Sequence, residues 1–246
     1  MIDFHSHILP GIDDGARSME DSLGLIKQSV NSGVTKIIAT PHINLGTFDN
    51  DLCSIQNAFH GLIHAVKKAN LKVELAYAAE VRICPEIMPL TQSSQLPFLG
   101  KFNDNNVLLL EFPHSHILPG SDKLVNWLIN NKITPMIPHP ERNRELWKHP
   151  YLINDFINKG CLLQITAASL IGDFGRRSKS LAWQLLESEH VYAIASDMHN
   201  LKRRPNLMSE AYQLVASQYG RERAELLCVD NPDVIFSSNS SVISCG

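Results

Sequence analysis

The first sixteen residues read MIDFHSHILPGIDDGA (residues 1–16) and combine a short apolar run with an H-x-H pair of histidines. His5 and His7 follow the apolar run directly, and Asp14 comes in the polar stretch after it. Imidazole and carboxylate groups are common ligands of divalent metal ions. This stretch therefore predicts a β-strand whose carboxyl end carries metal ligands.

The seven letters HSHILPG occur twice, at residues 5–11 and again at residues 114–120. The second copy begins only after Glu111 has provided a carboxylate at the end of its own apolar run. We therefore expect the first copy to hold metal ligands. His114 and His116 of the second copy are expected to lie in the loop beyond the strand, at the rim of the site.

Seven short apolar runs are candidate β-strands: MIDF, TKIIAT, KVELAYAA, NVLLLEF, ITPMIP, CLLQIT and VYAIAS. Most are almost continuously apolar, which is typical of parallel strands that are covered on both faces. Helical patterns separate them, around residues 18–33, 52–66, 121–131, 150–159, 178–189 and 206–218. This alternation predicts an α/β fold, either a barrel or a doubly wound sheet.

The length and composition are those of an ordinary globular protein, with 246 residues, 44% hydrophobic residues and 19% charged residues. No charge block or Gly/Pro-rich linker divides the chain, so we expect a single domain over residues 1–246. The last residues, about 236–246, are mostly small and polar, and we expect them to form a flexible tail.

The charge and the cysteines exclude several classes of protein. A formal net charge of −3 gives no general attraction to nucleic acid or to an anionic membrane surface. No stretch approaches the roughly 20 apolar residues of a membrane span. The five cysteines are widely spaced without a C-x-x-C pair, so we expect neither a disulfide framework nor a thiolate zinc site. These features favour a protein of the cytoplasm.

Six of the seven apolar runs end in, or are followed by, residues of the types that bind metal ions. These residues are His5, His7, His42, Glu80, Glu111, His139, Asp197 and His199. In a parallel barrel the carboxyl ends of all strands meet on one face, where Asp14 can join them from its loop. A single such residue is more often a capping group, but nine together would be costly to bury without cations. The imidazole and carboxylate set suits manganese, iron or zinc.

The same residues predict attraction of a phosphate group. Three divalent ions would carry a charge of +6, of which the four candidate carboxylates would leave +2. Arg142 in HPERNR and Arg204 in NLKRRPN can add bidentate contacts to phosphate oxygens. For either arginine taken alone, a surface ion pair is the simpler interpretation.

Six motifs occur in order along the chain: MIDFHSHILPGIDDGA, TPH, AAE, LLLEFP, PHPERNR and ASDMHN. In this order and spacing the sequence resembles the PHP (polymerase and histidinol phosphatase) superfamily. More closely, it resembles the bacterial CpsB/CapC/YwqE-type manganese-dependent protein-tyrosine phosphatases, from residue 1 to about residue 232. The resemblance implies a distorted (β/α)7 TIM-like barrel, the PHP fold, with a centre of three metal ions.

The resemblance also assigns roles residue by residue. It implies one ion held by His5, His7, Glu80 and Asp197, a second held by Glu80, Glu111 and His139, and a third held by Asp14, His42 and His199. The ions would be Mn²⁺, with iron or zinc as alternatives at some positions. Arg142 and Arg204 would bind the phosphate, and the neighbouring Arg203 leaves open which arginine of the pair points inward.

The implied reaction is metal-assisted hydrolysis of phosphotyrosine. The phenolate of tyrosine, with a pKa of about 10, is a far better leaving group than an alkoxide, and Asp14 and His199 are both candidates for a general acid. The implied partner is the phosphotyrosine-bearing tail of a bacterial tyrosine autokinase that controls capsular or extracellular polysaccharide synthesis. Two other functions stay open: another PHP phosphoesterase such as a histidinol-phosphate phosphatase, and a metal-stabilised scaffold without activity.

Overall fold

All seven apolar runs of the sequence form parallel β-strands in a computed structural model that describes residues 1–246. The strands are β1 (Ile2–Ser6), β2 (Lys36–Ala39), β3 (His42–Ile43), β4 (Val73–Tyr77), β5 (Glu80–Arg82), β6 (Gly100–Phe102), β7 (Asn105–Glu111), β8 (Ile133–Pro138), β9 (Leu162–Thr166), β10 (Val191–Ala195) and β11 (Ile243–Cys245). The seven predicted strands are therefore confirmed. The four additional ones, β3, β5, β6 and β11, are only two or three residues long.

Ten α-helices lie between the strands, singly or in groups of two or three. They are α1 (Met19–Asn31), α2 (Leu52–Lys68), α3 (Ile87–Gln92), α4 (Ser121–Asn130), α5 (Asn154–Asn158), α6 (Ala167–Ile171), α7 (Gly175–Glu187), α8 (Met208–Tyr219), α9 (Arg221–Glu225) and α10 (Asn231–Ser237). α1 begins at a capping residue, because Oγ of Ser18 accepts a hydrogen bond from the backbone amide of Asp21. None of the helices is long and apolar enough to cross a membrane.

The eleven strands form two sheets. The first has the order β1-β2-β4-β11, and the second has the order β10-β9-β8-β7-β5-β3 with β6 paired to β7. Every pairing is parallel except those of β6 and β11. The protein therefore has a mixed α/β fold with a parallel sheet, as the alternation of strands and helices predicts.

Two chain segments pass from the first sheet to the second. After β2, Thr40 and Pro41 lead into β3, and after β4, Ala78 and Ala79 lead into β5. Pro41 has no backbone amide to donate, but its carbonyl accepts a hydrogen bond from the amide of Glu80 at 3.1 Å. The two linking segments therefore run side by side between the sheets.

The opposite edges of the two sheets also meet. The backbone amide of Asp197 donates to the carbonyl of His5 at 2.9 Å, and the amide of His7 donates to the carbonyl of Met198 at 2.9 Å. These bonds join the end of β1 to the residues that follow β10. As a result, the carboxyl ends of β1 and β10 lie side by side.

Side chains from both sheets face a shared apolar interior. One cluster of 13 buried residues draws its members from strands of both sheets and from α10, among them Phe4, Ile38, Ala76, Leu109, Met136, Ala193 and Phe236. A larger cluster of 50 buried residues packs the helices against the strands. Burial of this much apolar surface is the main favourable contribution to the stability of the fold.

The carboxyl-terminal residues differ from the flexible tail that their composition predicts. The side-chain amide of Asn239 is buried and donates to the backbone carbonyls of Tyr77 and Leu99 at 3.1 and 3.0 Å. β11 then pairs antiparallel with β4 at the edge of the first sheet. Backbone hydrogen bonds to a sheet edge do not require apolar side chains, so a small and polar composition does not reveal a strand of this kind.

Candidate metal centre

The nine candidate ligands of the sequence lie together where the parallel strands end. His5 lies in β1 and His7 directly follows it, while Glu111 is the last residue of β7. His42 and Glu80 begin β3 and β5 and lie opposite each other, with Nδ1 of His42 3.1 Å from Oε2 of Glu80. The two shortest parallel strands therefore carry two of the candidate ligands into the centre.

His139 and Asp197 come from the loops that follow β8 and β10. Their backbone φ angles are 37° and 52°, in the left-handed region that residues other than glycine rarely occupy. The amide of His139 donates to the carbonyl of Gln164 at 2.8 Å, which helps to hold the turn. Such conformations cost on the order of 1–3 kcal/mol each and are concentrated at functional sites.

Each candidate ligand belongs to at least one group whose ligand atoms all lie within 4.8 Å of one another. The groups are His7 with Asp14, His42 and His199; His5 with His7 and Glu80; His5 with His139 and Asp197; His42 with Glu80 and Glu111; and Glu111 with His114 and His139. Seven of the nine candidates are buried, whereas His42 is partly exposed and 50% of the Asp14 side chain is exposed. Asp14 therefore stands at the opening of the cluster.

Several buried ligand atoms have no hydrogen-bond partner. Oε2 of Glu80, Oε2 of Glu111 and Oδ1 of Asp197 are buried and accept no hydrogen bond. Nδ1 of His42 and Nε2 of His199 are also buried and have no hydrogen-bond partner. An unsatisfied buried polar atom costs about 1–3 kcal/mol, and a charged one costs more. Divalent cations would satisfy all of these atoms at once, so the residues present fit a metal centre.

The carboxyl groups of the cluster carry a concentrated negative charge. Burial favours the neutral form of Asp197, but the guanidinium groups of Arg204 and Arg142 outweigh it and hold the pKa of this carboxyl well below its usual range. Burial also opposes ionisation of Glu80, yet the neighbouring histidines hold its pKa well below its usual range. In Glu111, burial and the nearby Glu80 carboxylate raise the pKa to about 7. Cations would neutralise this charge.

Two buried side chains that the sequence did not single out orient the first pair of histidines. Nδ1 of His7 donates a hydrogen bond to Oδ2 of Asp13, and Nδ1 of His5 donates to Oε1 of Gln164, both at 2.8 Å. In both rings Nε2 then lies 3.3 Å from Oε2 of Glu80. Partners of this kind fix the tautomer and the orientation of metal-binding histidines. The only sequence signals were the first Asp of IDDG, which is Asp13, and a polar residue inside CLLQIT, which is Gln164.

Gly15 allows the loop after β1 to fold back onto the centre. A Cβ atom at this position would lie 2.2 Å from the carbonyl oxygen of His7, so a side chain could not be accommodated without a shift of the backbone. The amide of Gly15 donates to Oδ1 of Asp13 at 2.9 Å, and the amide of Ala16 donates to the carbonyl of His7 at 3.0 Å. The sequence DDGA thus places Asp13 against His7 and leaves Asp14 at the opening.

Arg142 and Arg204 converge on one carboxylate oxygen. Nη2 of Arg142 lies 2.8 Å and Nη2 of Arg204 lies 2.5 Å from Oδ2 of Asp197. The ring of Phe174 packs against both guanidinium groups, which lie 4.8 and 5.7 Å from the ring centre. Arg203 is exposed and does not contact Asp197. Arg204 is therefore the member of the pair that points inward.

The cluster opens into a cavity of about 260 Å³. Arg142 and Arg204 line this cavity together with a third arginine, Arg82, which the sequence did not single out. Nε of Arg82 lies 3.1 Å from Oε2 of Glu111. Three guanidinium groups beside a metal-type ligand cluster suit an anionic ligand such as a phosphate group.

The two HSHILPG copies have different surroundings. In the second copy, His114 lines the cavity, and its ring centre lies 5.3 Å from that of His139. His116 is exposed and does not line the cavity, and its Nδ1 lies 2.8 Å from Oγ of Ser115. Identical letters therefore place His114 at the rim of the site and His116 outside it.

Comparison with known proteins shows relatives along the whole chain. A family model described as "Capsular polysaccharide synthesis, CpsB/CapC" matches residues 1–237. The chain is 34% identical to tyrosine-protein phosphatase YwqE of Bacillus subtilis (strain 168) over 240 residues, covering 98% of this chain and 93% of that protein. It is also 34% identical to tyrosine-protein phosphatase CpsB of Streptococcus pneumoniae over 242 residues, covering 96% of this chain and 98% of that protein.

A solved structure has the same fold. It comes from crystal structures of YwqE from Bacillus subtilis and CpsB from Streptococcus pneumoniae, described as "unique metal-dependent tyrosine phosphatases". The TM-score is 0.90 at 33% sequence identity, and the superposition covers 99% of this chain and 97% of that chain. The family match includes every strand that carries a candidate ligand. The chain therefore belongs to the CpsB/CapC family.

Proposed function

We propose that the protein is a metal-dependent phosphatase that hydrolyses phosphotyrosine on proteins. One observation carries this proposal: buried carboxylate and imidazole atoms without hydrogen-bond partners lie beside three arginines in a single cavity. Metal ions and a phosphate group are the two ligands that such groups bind together. The relatives named as tyrosine phosphatases support phosphotyrosine as the substrate.

The nine candidate ligands would hold three ions. As the resemblance to the family implies, one ion would be held by His5, His7, Glu80 and Asp197, a second by Glu80, Glu111 and His139, and a third by Asp14, His42 and His199. The ligand atoms of the third set, and those of His5, His7 and Glu80 in the first, lie within 4.8 Å of one another. The ligand set contains no thiolate, which favours Mn²⁺ and admits iron or zinc. When bound, the ions would supply Lewis acidity toward the phosphate and lower the pKa of a water molecule.

Arg142 and Arg204 would bind the phosphate oxygens. Both guanidinium groups line the cavity, and the ring of Phe174 supports them from one side. Their charge would stabilise the negative charge on the equatorial oxygens while the bond between phosphorus and the tyrosine oxygen breaks. Because the donors are already gathered on one carboxylate, little reorganisation is needed when a phosphate takes their hydrogen bonds.

Asp14 and His199, which would hold the third ion, are also the two candidates for a general acid near the leaving oxygen. Oδ1 of Asp14 lies 3.3 Å from Nε2 of His199, and Asp14 is half exposed at the opening of the cluster. A phenolate with a pKa of about 10 leaves with less help from an acid than an alkoxide does. A strong general acid is therefore less necessary for this substrate.

The strands would form a distorted (β/α)7 barrel, and residues 1–246 would form a single domain. The hydrogen bonds between the end of β1 and the residues after β10 support closure of the barrel, and so does the apolar interior that both sheets share. Active sites of parallel barrels are built at the carboxyl ends of the strands, where the candidate ligands lie.

The substrate would be the phosphotyrosine-bearing tail of a bacterial tyrosine kinase that controls capsular or extracellular polysaccharide synthesis in the cytoplasm. The description of the matching family as one of capsular polysaccharide synthesis supports this partner. Asp14 and Arg204 are partly exposed at the cavity, so a flexible peptide can reach the groups inside.

Metal analysis and hydrolysis, measured on the same purified protein, test the proposed function. We expect hydrolysis of a phosphotyrosyl peptide to require Mn²⁺, to stop on chelation and to return when Mn²⁺ is restored. His139→Ala should lose metal and activity together, whereas the control His149→Ala, at an exposed position, should keep both. Faster hydrolysis of histidinol phosphate than of the peptide would contradict phosphotyrosine as the substrate, and full activity with chelator would contradict metal dependence.

A further inference from the structure

Only a few of the residues that line the cavity beside the candidate metal centre are free to contact the organic group of a phosphate ester. Five of the twelve lining residues are candidate metal ligands, and three are arginines. The remaining four are Asn44, Thr47, Phe48 and His114. The arginines, and metal ions held by the five ligands, would bind the phosphate, which leaves the other four residues to contact the organic group of the substrate.

Phe48 is the one apolar side chain in this lining. Its ring lies parallel to the imidazole of His42, with 10° between the planes and 5.4 Å between the ring centres. The Phe48 side chain is partly exposed and borders the cavity. A partly exposed aromatic ring in this position can pack against a second aromatic ring by stacking or by an edge-to-face contact.

A tight turn fixes the position of Phe48. Its backbone amide donates to the carbonyl of Asn44 at 2.8 Å, and the amide of Asn44 donates to the carbonyl of Phe48 at 3.0 Å. Gly46 in the middle of the turn has a φ of 83°, and its amide donates to Oδ1 of Asp49 at 2.6 Å. The ring is therefore held in place before any ligand binds, which reduces the entropy lost on binding.

We propose that Phe48 is a specificity-determining residue that packs against the aromatic ring of the substrate and makes the site prefer aryl phosphates to alkyl phosphates. This inference rests on the proposed phosphatase function and assigns the part of the site that recognises the tyrosine ring. Arginines and metal ions bind any phosphate monoester, so they do not supply this selection. An aromatic contact of this kind is expected to strengthen binding by about 2- to 10-fold.

Binding of phosphonates tests the proposal without any hydrolysis. The Mn²⁺-loaded protein is titrated by calorimetry with phenylphosphonate, methylphosphonate and inorganic phosphate. We expect wild-type protein to bind phenylphosphonate more tightly than methylphosphonate, and Phe48→Ala to lose this preference while its Kd for inorganic phosphate stays unchanged. Phe48→Tyr should keep the preference. Leu45→Ala is the matched control, because Leu45 lies in the same turn but is exposed and does not line the cavity.

Two results would overturn the proposal. The first is a preference for phenylphosphonate that persists in Phe48→Ala or is absent from wild-type protein. The second is an equal loss of affinity for all three ligands together with a lower manganese content, since Phe48 would then act only by supporting His42. Failure of the proposed function would look different, because the wild-type protein would bind the phosphonates as expected and yet leave a phosphotyrosyl peptide intact.

Discussion

Nδ1 of His7 donates a hydrogen bond to Oδ2 of Asp13 at 2.8 Å, and this bond leaves Nε2 of the same ring facing the carboxylates of the candidate metal centre. The Asp13 side chain is fully buried, and its other oxygen accepts a hydrogen bond from the amide of Gly15 at 2.9 Å. Asp13 therefore fixes the tautomer and the orientation of His7 before any ion binds.

Loss of Asp13, the hydrogen-bond partner of His7, should weaken metal binding. We expect Asp13→Ala to lower the affinity for Mn²⁺ by about 10- to 100-fold, because His7 loses the group that orients its ring. Asp13→Asn keeps an oxygen acceptor and should lose less. Titration of metal-free protein with Mn²⁺ measures both effects, with Asp122→Ala, an exposed carboxylate of α4, as the control. Wild-type affinity in Asp13→Ala would show that His7 needs no orienting partner.

The two HSHILPG copies should respond differently to mutation. His5→Ala should reduce the bound metal, since Nε2 of His5 lies 3.3 and 3.4 Å from the carboxylates of Glu80 and Asp197. His116→Ala should leave the metal content intact, since its ring is exposed and outside the cavity. Elemental analysis of the purified variants makes the comparison. Equal metal loss in both variants would contradict the assignment of the ligands to the first copy.

Neighbouring arginines should have unequal effects on catalysis. We expect Arg204→Ala to lower kcat/KM for a phosphotyrosyl peptide by about 100-fold, because a charged donor beside the phosphate is lost. Arg203→Ala is a matched control and should retain wild-type activity, because Arg203 is exposed and does not line the metal cavity. Steady-state kinetics at a fixed Mn²⁺ concentration provide the measurement. Similar losses in the two variants would contradict the role assigned to Arg204.

Removal of metal should destabilise the protein, because buried carboxylate oxygens are then left without partners. At an ion concentration of about 1,000 times Kd, binding adds ~4 kcal/mol, which corresponds to a Tm shift of roughly 8–16 °C for a chain of this size. Scanning calorimetry with and without chelator measures the shift.

Glu111→Gln, which lacks one of the buried carboxylates of the centre, is a useful comparison with wild-type protein in the same calorimetric measurement. Glu111→Gln removes the repulsion between Glu111 and Glu80, so its metal-free form should be at least as stable as metal-free wild-type protein, and Mn²⁺ should raise its Tm less. A Tm of wild-type protein that does not change on chelation would contradict the metal centre.

The carboxyl-terminal segment should contribute to stability. We expect Asn239→Ala to lower the free energy of unfolding by about 1–3 kcal/mol, because buried backbone carbonyls lose their donor. The Asn239 amide donates to Tyr77 and Leu99, and its Oδ1 accepts a hydrogen bond from the amide of Ser241 at 2.8 Å. Urea-induced unfolding gives the free energy, with the exposed Ser240→Ala as the control. Equal stability of the two variants would mean that this segment is only loosely attached.

Much of the fold could be predicted from the sequence. Seven nearly continuous apolar runs predicted the parallel strands, because strands that are buried on both faces require such runs. The same runs placed residues such as His5 and Glu111 at strand ends, and parallel strands bring their carboxyl ends to a common face. The strands β3 and β5 could not be predicted, since two or three residues carry no periodic pattern.

The sequence by itself determined which chemical groups stand at the ends of the strands. Only the tertiary structure decided which side chains act together: it turned Arg204 inward and Arg203 outward, and it brought Gln164 beside His5 and Asp13 beside His7. It also gave the two HSHILPG copies different surroundings and paired the polar carboxyl terminus with β4. These relationships depend on the direction each side chain takes and on partners from other parts of the chain, and neither is encoded in local composition or periodicity.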